Sequence, residues 1–239
     1  MTTYVLVHGA WHGPWAWDRL VPLLRAAGAR TLTPDLRGAS GDHGLRHDAR
    51  TVAAALDTVP EEEQLVLVGH SYAGLVVREA ADLRPGAVDH LVLVDGWAGP
   101  DGASLFGLAP DSFAVAMRAA AAASADGQGI PAPPPAVFGV VDAEDAAWLA
   151  ERLVPQALRT FAEATRLSGA VDRIPGTAVH CQPAAYPFDR FGAALGYRTL
   201  ALDGPHDVMV TDPEPLARLL LEAPGRPAAL QEQEGRSLG

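Results

Sequence analysis

The sequence predicts an α/β fold: a mostly parallel six-stranded sheet with helices on both faces and one long helical insert. Three observations carry this reading. Short apolar runs alternate with longer amphipathic segments, the pattern of β–α units that wind a parallel sheet. Each run is continuously apolar, as expected of strands buried on both faces. The alternation then stops between Trp97 and about Asp172, an interval of roughly 75 residues that is too long for a simple crossover.

In order, the runs are Tyr4–Val7, Thr31–Thr33, Leu65–Val68, Leu91–Val94, Thr177–His180 and Arg198–Leu202. Trp17 to Ala27 reads as a helix carrying Leu20, Val21, Leu23 and Leu24, with Gly28 as its stop. Arg46 to Val59, Tyr72 to Leu83 and Glu214 to Leu221 read the same way. The interval after Trp97 has no good strand run. It offers an Ala-rich helix from Phe113 to Ala125, a stiff proline-rich connection from Gly129 to Pro135 and a helix from Glu144 to Leu153. We read 98–170 as a helical cap over the carboxyl edge of the sheet, with 1–97 and 171–223 forming the core. The stretch 224–239 is polar and Gly-rich, the composition of a disordered tail.

Composition narrows the function. With 49% hydrophobic and 20% charged residues in 239, the chain is not intrinsically disordered. A net charge of −11 repels phosphate backbones, which argues against nucleic acid and anionic membrane as partners. Every basic residue is Arg and none is Lys, so no lysine-dependent mechanism is available. Cys181 is the sole cysteine, which excludes an internal disulfide and a multi-cysteine zinc site. Met1-Thr2-Thr3 runs straight into the first apolar run with no basic leader, and no stretch approaches the ~20 apolar residues of a membrane helix. The expectation is a soluble cytoplasmic protein, with a homodimer left open.

The strongest motif is Leu65-Val66-Leu67-Val68-Gly69-His70-Ser71-Tyr72-Ala73-Gly74. A strand runs into Gly-x-Ser-x-Ala-Gly and then into a helix. A nucleophile on such a turn needs small neighbours, because the strained backbone thrusts its Oγ above the sheet. Gly69, Ala73 and Gly74 supply them, although Ala73 stands where glycine is usual. The plain alternative is an ordinary strand–turn–helix with a solvent-facing serine.

Two further motifs lie after other strands. Acyl transfer needs two backbone N–H donors for the developing oxyanion. One falls to Tyr72, directly after the serine. The loop His8-Gly9-Ala10-Trp11-His12-Gly13 offers the second, which we place at Ala10. His8 and His12 could instead be metal ligands at i and i+4, but the intervening glycines oppose a helix; we read both as loop and core packing in preference to a metal site, and no metal is expected. The two donors can share one oxyanion only if the first and third strands are neighbours. That places the site at the topological switch point, where open α/β sheets bind ligands. Leu202 to Pro213 then carries His206 between the last strand and a helix with Asp212 at its cap and Pro213 at its first position. His206 is the general-base candidate. His43 and His47 read as part of a polar loop, His90 opens a strand and His180 lies within one.

The HGAWHG opening, the GHSYAG turn, the LVLVDGW strand and the GPHDVMVTDPEPLA ending span essentially the whole chain. Together they resemble the α/β-hydrolase family of the small, single-cap type, similar to the plant methylesterase and hydroxynitrile lyase group and its bacterial esterase-like relatives. The resemblance implies a serine nucleophile, a histidine base and an acid in the chain order Ser…acid…His, with no cofactor. The acid departs from the family pattern. Most relatives carry Asp after the strand preceding the histidine's strand; here that place reads Cys181-Gln182-Pro183-Ala184-Ala185. Asp95, which ends the strand after the turn helix, is the favoured substitute, with Asp189 and a Ser–His dyad as alternatives.

The function expected is hydrolysis of a small to medium, largely apolar ester or thioester through an acyl-Ser71 intermediate. Trp11, Tyr72 and Trp97, beside the motifs, are the candidate substrate-binding aromatics; Phe138 and Trp148 read as core. A non-hydrolytic lyase or cyclase reaction is the first alternative. In the cyanohydrin-cleaving branch a lysine follows the histidine, where this chain has Asp207. A non-catalytic ligand-binding protein is the second. Glu61-Glu62-Glu63 reads as a solvated turn, and Asp142, Glu144 and Asp145 as cap and exposed face of an insert helix.

Overall fold

The structure, a computed structural model, describes residues 1–37 and 43–224. The expected tail therefore lies, apart from Pro224, outside the described residues. Six strands form the main sheet: β1 (Thr2–Val7), β2 (Arg30–Leu32), β3 (Gln64–His70), β4 (His90–Val94), β7 (Gly176–Gln182) and β8 (Arg198–Asp203). Their order is β2-β1-β3-β4-β7-β8, and every pair is parallel. The chain steps outward from β1 to β2 and returns on the other side at β3. The reversal thus falls between β1 and β3, as the shared-oxyanion argument requires.

Continuous apolar strands supply both faces at once, because successive side chains point to opposite sides. Val5, Val7, Leu65, Leu67, Leu91 and Leu93 pack on one face with α2 (Leu45–Leu56) and α3 (Ala73–Leu83). Tyr4, Leu6, Val66, Val68, Val92 and Val94 pack on the other with α1 (Val21–Ala26) and α10 (Pro213–Glu222). Each such side chain contributes about 1.5–3 kcal/mol on burial. Double-sided burial fails at the edges: β8 is mostly exposed and β2 is only partly covered.

Between β4 and β7 the chain leaves the sheet for α4 (Leu105–Leu108), α5 (Asp111–Ala122), α6 (Ala143–Ala150) and α7 (Leu158–Ala162). The expected absence of strand there is corrected: β5 (Gly129–Ile130) and β6 (Gln156–Ala157) form a two-residue antiparallel ladder, too short to register as an apolar run. Asp142 caps α6 by accepting the Glu144 and Asp145 amides, and Asp145 leaves the solvated face to pair with Arg19 at 2.7 Å. After β7 come α8 (Phe188–Ala194) and, after β8, α9 (Val208–Thr211).

Other readings are corrected by local chemistry. The first helix begins at Val21, behind a 3-10 turn at Pro14–Trp17, because Pro22 is accommodated only in a first turn. His47 lies within α2 rather than in a loop, and His43 is buried with its Nε2 2.7 Å from Asp48 Oδ1. Glu63 turns back from the solvent to accept from Thr3 Oγ1. Asp212 sits at the cap of α10 but makes no side-chain capping bond.

Candidate active site

Ser71 stands between β3 and α3 with φ +53°, a left-handed backbone that disfavours side chains. The turn is held by Ser71 N–H to Val94 O and by Gly74 and Trp97 N–H to Ser71 O, each at 3.0 Å. The flanking glycines are dictated by contact. A Cβ on Gly69 would stand 2.7 Å from Ala73 O, and one on Gly74 only 2.4 Å from Trp97 O. Ala73 opens α3 without a positive φ, so its backbone does not require the usual glycine.

The loop after β1 lies directly against this turn. A Cβ on Gly9 would meet Ser71 Cβ at 3.0 Å. Gly9 O accepts from His8 Nδ1–H at 2.9 Å, and His8 Nε2 accepts from Leu36 N–H at 3.0 Å, so His8 braces the loop. Trp11, with φ +65°, gives its N–H to Gln156 Oε1 at 3.0 Å and its indole N–H to Ile130 O at 3.1 Å. Among the described residues, the Ala10 and Tyr72 amides donate to no other group.

His206 follows β8, and its Nδ1–H donates to Asp95 Oδ2 at 2.8 Å. Asp95 leaves β4 with φ +44° and is 1% exposed. Its other oxygen accepts the Cys181 amide at 2.7 Å. The strand end lacking the family carboxylate thus orients Asp95 through its backbone. Asp189 is exposed at the start of α8. Among the described residues no hydrogen bond joins Ser71 Oγ to His206; such contacts often tighten only when substrate binds.

Beneath His206 lies a buried histidine–carboxylate cluster. His70 Nε2–H donates to the His206 carbonyl at 3.0 Å. Burial, then the nearby His206, push the His70 pKa well below its ordinary value, so its ring is neutral. His12 Nε2 lies 2.9 Å from Asp207 Oδ2 and His12 Nδ1 2.7 Å from Ala10 O. Burial opposes charge on His12, but the Asp207 carboxylate prevails and raises its pKa. Burial likewise opposes ionisation of Asp207, and His12 overrides it downward. His70, His206 and Asp207 form the one group among the described residues with three potential metal ligands within reach of each other. All three already have partners: His70 the His206 carbonyl, Asp207 the His12 ring and His206 the Asp95 carboxylate.

The three aromatics singled out in the sequence join one cluster. Phe161 touches Trp11 and Tyr72, with centroids at 5.4 and 5.9 Å, and Phe113 bridges Phe161 to Trp97 at 6.1 and 6.5 Å. Tyr72 gives its hydroxyl to Asp48 Oδ2 at 2.7 Å, and burial, then Asp48, hold that phenol well above its ordinary pKa. Sequence reasoning missed Phe188 and took Phe138 for plain core. Both lie parallel to the His206 ring, at 5.6 and 6.4 Å. No motif marks them; they reach the imidazole from α8 and from the insert. A cavity of about 920 Å³ opens beside the β1 loop, between His8, His12, Arg37, Gln128, Gln156 and Arg159; Ser71 and His206 are not in its wall.

The chain belongs to the alpha/beta hydrolase family, whose model matches residues 4–219. Within it, the chain is 32% identical to a carbendazim hydrolyzing esterase from Nocardioides sp. (strain SG-4G), over 92% of this chain and 98% of that one. It is 35% identical to the alpha-hydroxynitrile lyase of Arabidopsis thaliana over 38% of each chain. Among solved structures it resembles an extracellular alpha/beta-hydrolase from a Paenibacillus species, with a TM-score of 0.83, 22% identity and coverage of 95% and 100%. The protein is an enzyme of the esterase type, a serine hydrolase acting on esters. Among the described residues, no helix is long and apolar enough to cross a membrane.

Proposed function

We propose that Ser71, His206 and Asp95 form the catalytic triad of this esterase, with the Ala10 and Tyr72 amides as its oxyanion donors. The supporting observation is the 2.8 Å contact from Asp95 to His206 Nδ1, at the sheet edge where Ser71 is thrust up by its positive φ. With the proton held on Nδ1, the Nε2 lone pair is free to take the Ser71 proton. Ser71 Oγ then bonds to the ester carbonyl carbon, and the carbonyl oxygen gains negative charge facing the two amides. The C–O bond to the leaving alcohol breaks, and His206 returns the proton to that alcohol. Water, deprotonated by the same imidazole, next attacks the acyl-Ser71 carbonyl; the acid departs and Ser71 recovers its proton.

Residues 98–170 serve as the cap in this reading, supported by their hold on Trp11 and by Phe138 beside the imidazole. The aromatic cluster favours small to medium, largely apolar acyl or alkoxy groups, esters first and thioesters second. Carbendazim, for which the bacterial relative is named, belongs in the first substrate panel. A buried single cysteine is compatible with the expected cytoplasmic setting. The lysine of the cyanohydrin-cleaving branch has no counterpart: Asp207 turns inward to His12. A fluorophosphonate should add one label by intact mass, absent in Ser71→Ala; labelling that survives this substitution refutes the assignment.

A further inference from the structure

The buried His12–Asp207 pair is not used in the chemistry above, yet it joins the two loops that the chemistry must hold together. Asp207 is the residue after His206, is 0% exposed and gives its own amide to Phe138 O. His12 is 2% exposed, and both its ring nitrogens face oxygen acceptors, Ala10 O at 2.7 Å and Asp207 Oδ2 at 2.9 Å. With Asp207 held ionised by its lowered pKa, carbonyl and carboxylate both only accept, so the ring carries a proton on each nitrogen. It is an imidazolium facing a carboxylate, enclosed by Trp15, Phe138 and His70.

The place where His12 grips the β1 loop is informative. Ala10 O belongs to the peptide plane between Ala10 and Trp11, whose N–H is taken by Gln156. That rigid plane is therefore held at one end by His12 and at the other by the insert. The preceding plane carries the Ala10 N–H, and its Gly9 carbonyl is held by His8 Nδ1–H and by the His12 amide at 3.4 Å. His12 thus grips both planes around Ala10, and its remaining nitrogen reaches the base loop.

We propose that His12 and Asp207 are positioning residues, a charged clamp that fixes the His206 loop against the oxyanion loop and so sets general base and oxyanion donor in register. The proposal rests on the triad reading. It explains why the residue after His206 is acidic and turned inward.

The clamp acts on the placement of reacting groups, so its loss should fall on kcat. Asp207→Ala is expected to lower kcat on an acetate ester on the order of 100-fold, as for a displacement of ~1 Å, with KM changed less than about threefold. Asp207→Asn keeps an amide against His12 Nε2 and should restore most of that loss. Adding His12→Ala to Asp207→Ala should cost less than His12→Ala costs alone, because the two share one contact and only the Nδ1–H bond to Ala10 O remains to be lost. A folded Asp207→Ala enzyme with unchanged kcat, or with its defect wholly in KM, overturns the proposal. Should that variant not fold, two-bond ¹H–¹⁵N spectra of the wild-type histidine rings decide: His12 protonated on both nitrogens near pH 6 supports the clamp, and a singly protonated ring refutes it. Fluorophosphonate labelling of the wild-type enzyme separates the outcomes. No label sinks the triad reading, whereas normal labelling with an indifferent Asp207→Ala variant sinks only the clamp.

Discussion

Asp95 occupies a backbone conformation that costs free energy, of order 1–3 kcal/mol, and that the surrounding strands must hold in place. Its amide bonds Val179 O at 2.8 Å while its carboxylate takes the Cys181 amide and the imidazole. Asp95→Asn should therefore fold, yet lose about 10⁴ in kcat if it orients His206 as the buried acid of serine proteases does. That loss corresponds to about 5–6 kcal/mol of transition-state stabilisation. Asp189→Asn, on the exposed start of α8, should change steady-state turnover little. The reverse pattern would move the role to Asp189, and two active variants would favour a Ser–His dyad. Dialysis against a chelator should leave turnover unchanged; a loss restored by a divalent ion would recruit the His70, His206 and Asp207 group as ligands.

The turn between β3 and α3 is specified by steric need. Gly74 admits the backbone of Trp97, whose carbonyl would stand 2.4 Å from any Cβ there. Gly74→Ala should destabilise the fold by 1–3 kcal/mol or more and lower the rate of fluorophosphonate labelling, because the turn carrying Ser71 must shift. Denaturant unfolding at neutral pH checks the first effect. Asp142 offers a contrast on the insert. Its side chain caps α6, and Asp142→Ala should cost about 1 kcal/mol while leaving the strands untouched. The turn was legible in the sequence because small residues must recur at fixed places around a strained serine. The β5–β6 ladder was not, because two residues per strand carry no periodicity.

For the molecule as a whole, buried imidazolium–carboxylate pairs should make stability depend on pH. The folded pKa values of His12 and His43 are raised above their ordinary 6.5; burial opposes the shift at His12 and Asp207 overrides it, while Asp48 is the main cause at His43. Their contribution is fully present below about pH 6.5 and is lost as pH rises through the raised values. Asp207 is lowered below its ordinary 3.8, so its contribution is present above that value and is lost as pH falls through the lowered one. His70 and His90, lowered mainly by burial, contribute in the opposite sense, their share being lost as pH falls below about 6.5. The contribution of His12 is therefore read by difference: Asp207→Asn, which removes the carboxylate that raises His12, should lower Tm more near pH 5.5 than near pH 8.5. An Asp207→Asn variant whose Tm falls equally at both pH values would contradict the charge states assigned here.

The parallel sheet and the place of its reversal could be read before any coordinates, and so could the candidates Ser71, His206 and Asp95 that the proposed triad uses. Each rests on a short stretch whose physics is local: apolar runs that must be buried, a serine that needs small neighbours, a histidine between a strand and a helix. The partners of Asp207, the aromatic rings beside His206 and the anchoring of Trp11 by Gln156 could not. They join residues as far apart as His12 and Asp207, or Trp11 and Gln156, across loops and an insert. Spacing along a chain reports periodicity within an element; which two loop side chains meet depends on how whole elements pack, and only the folded arrangement decides that.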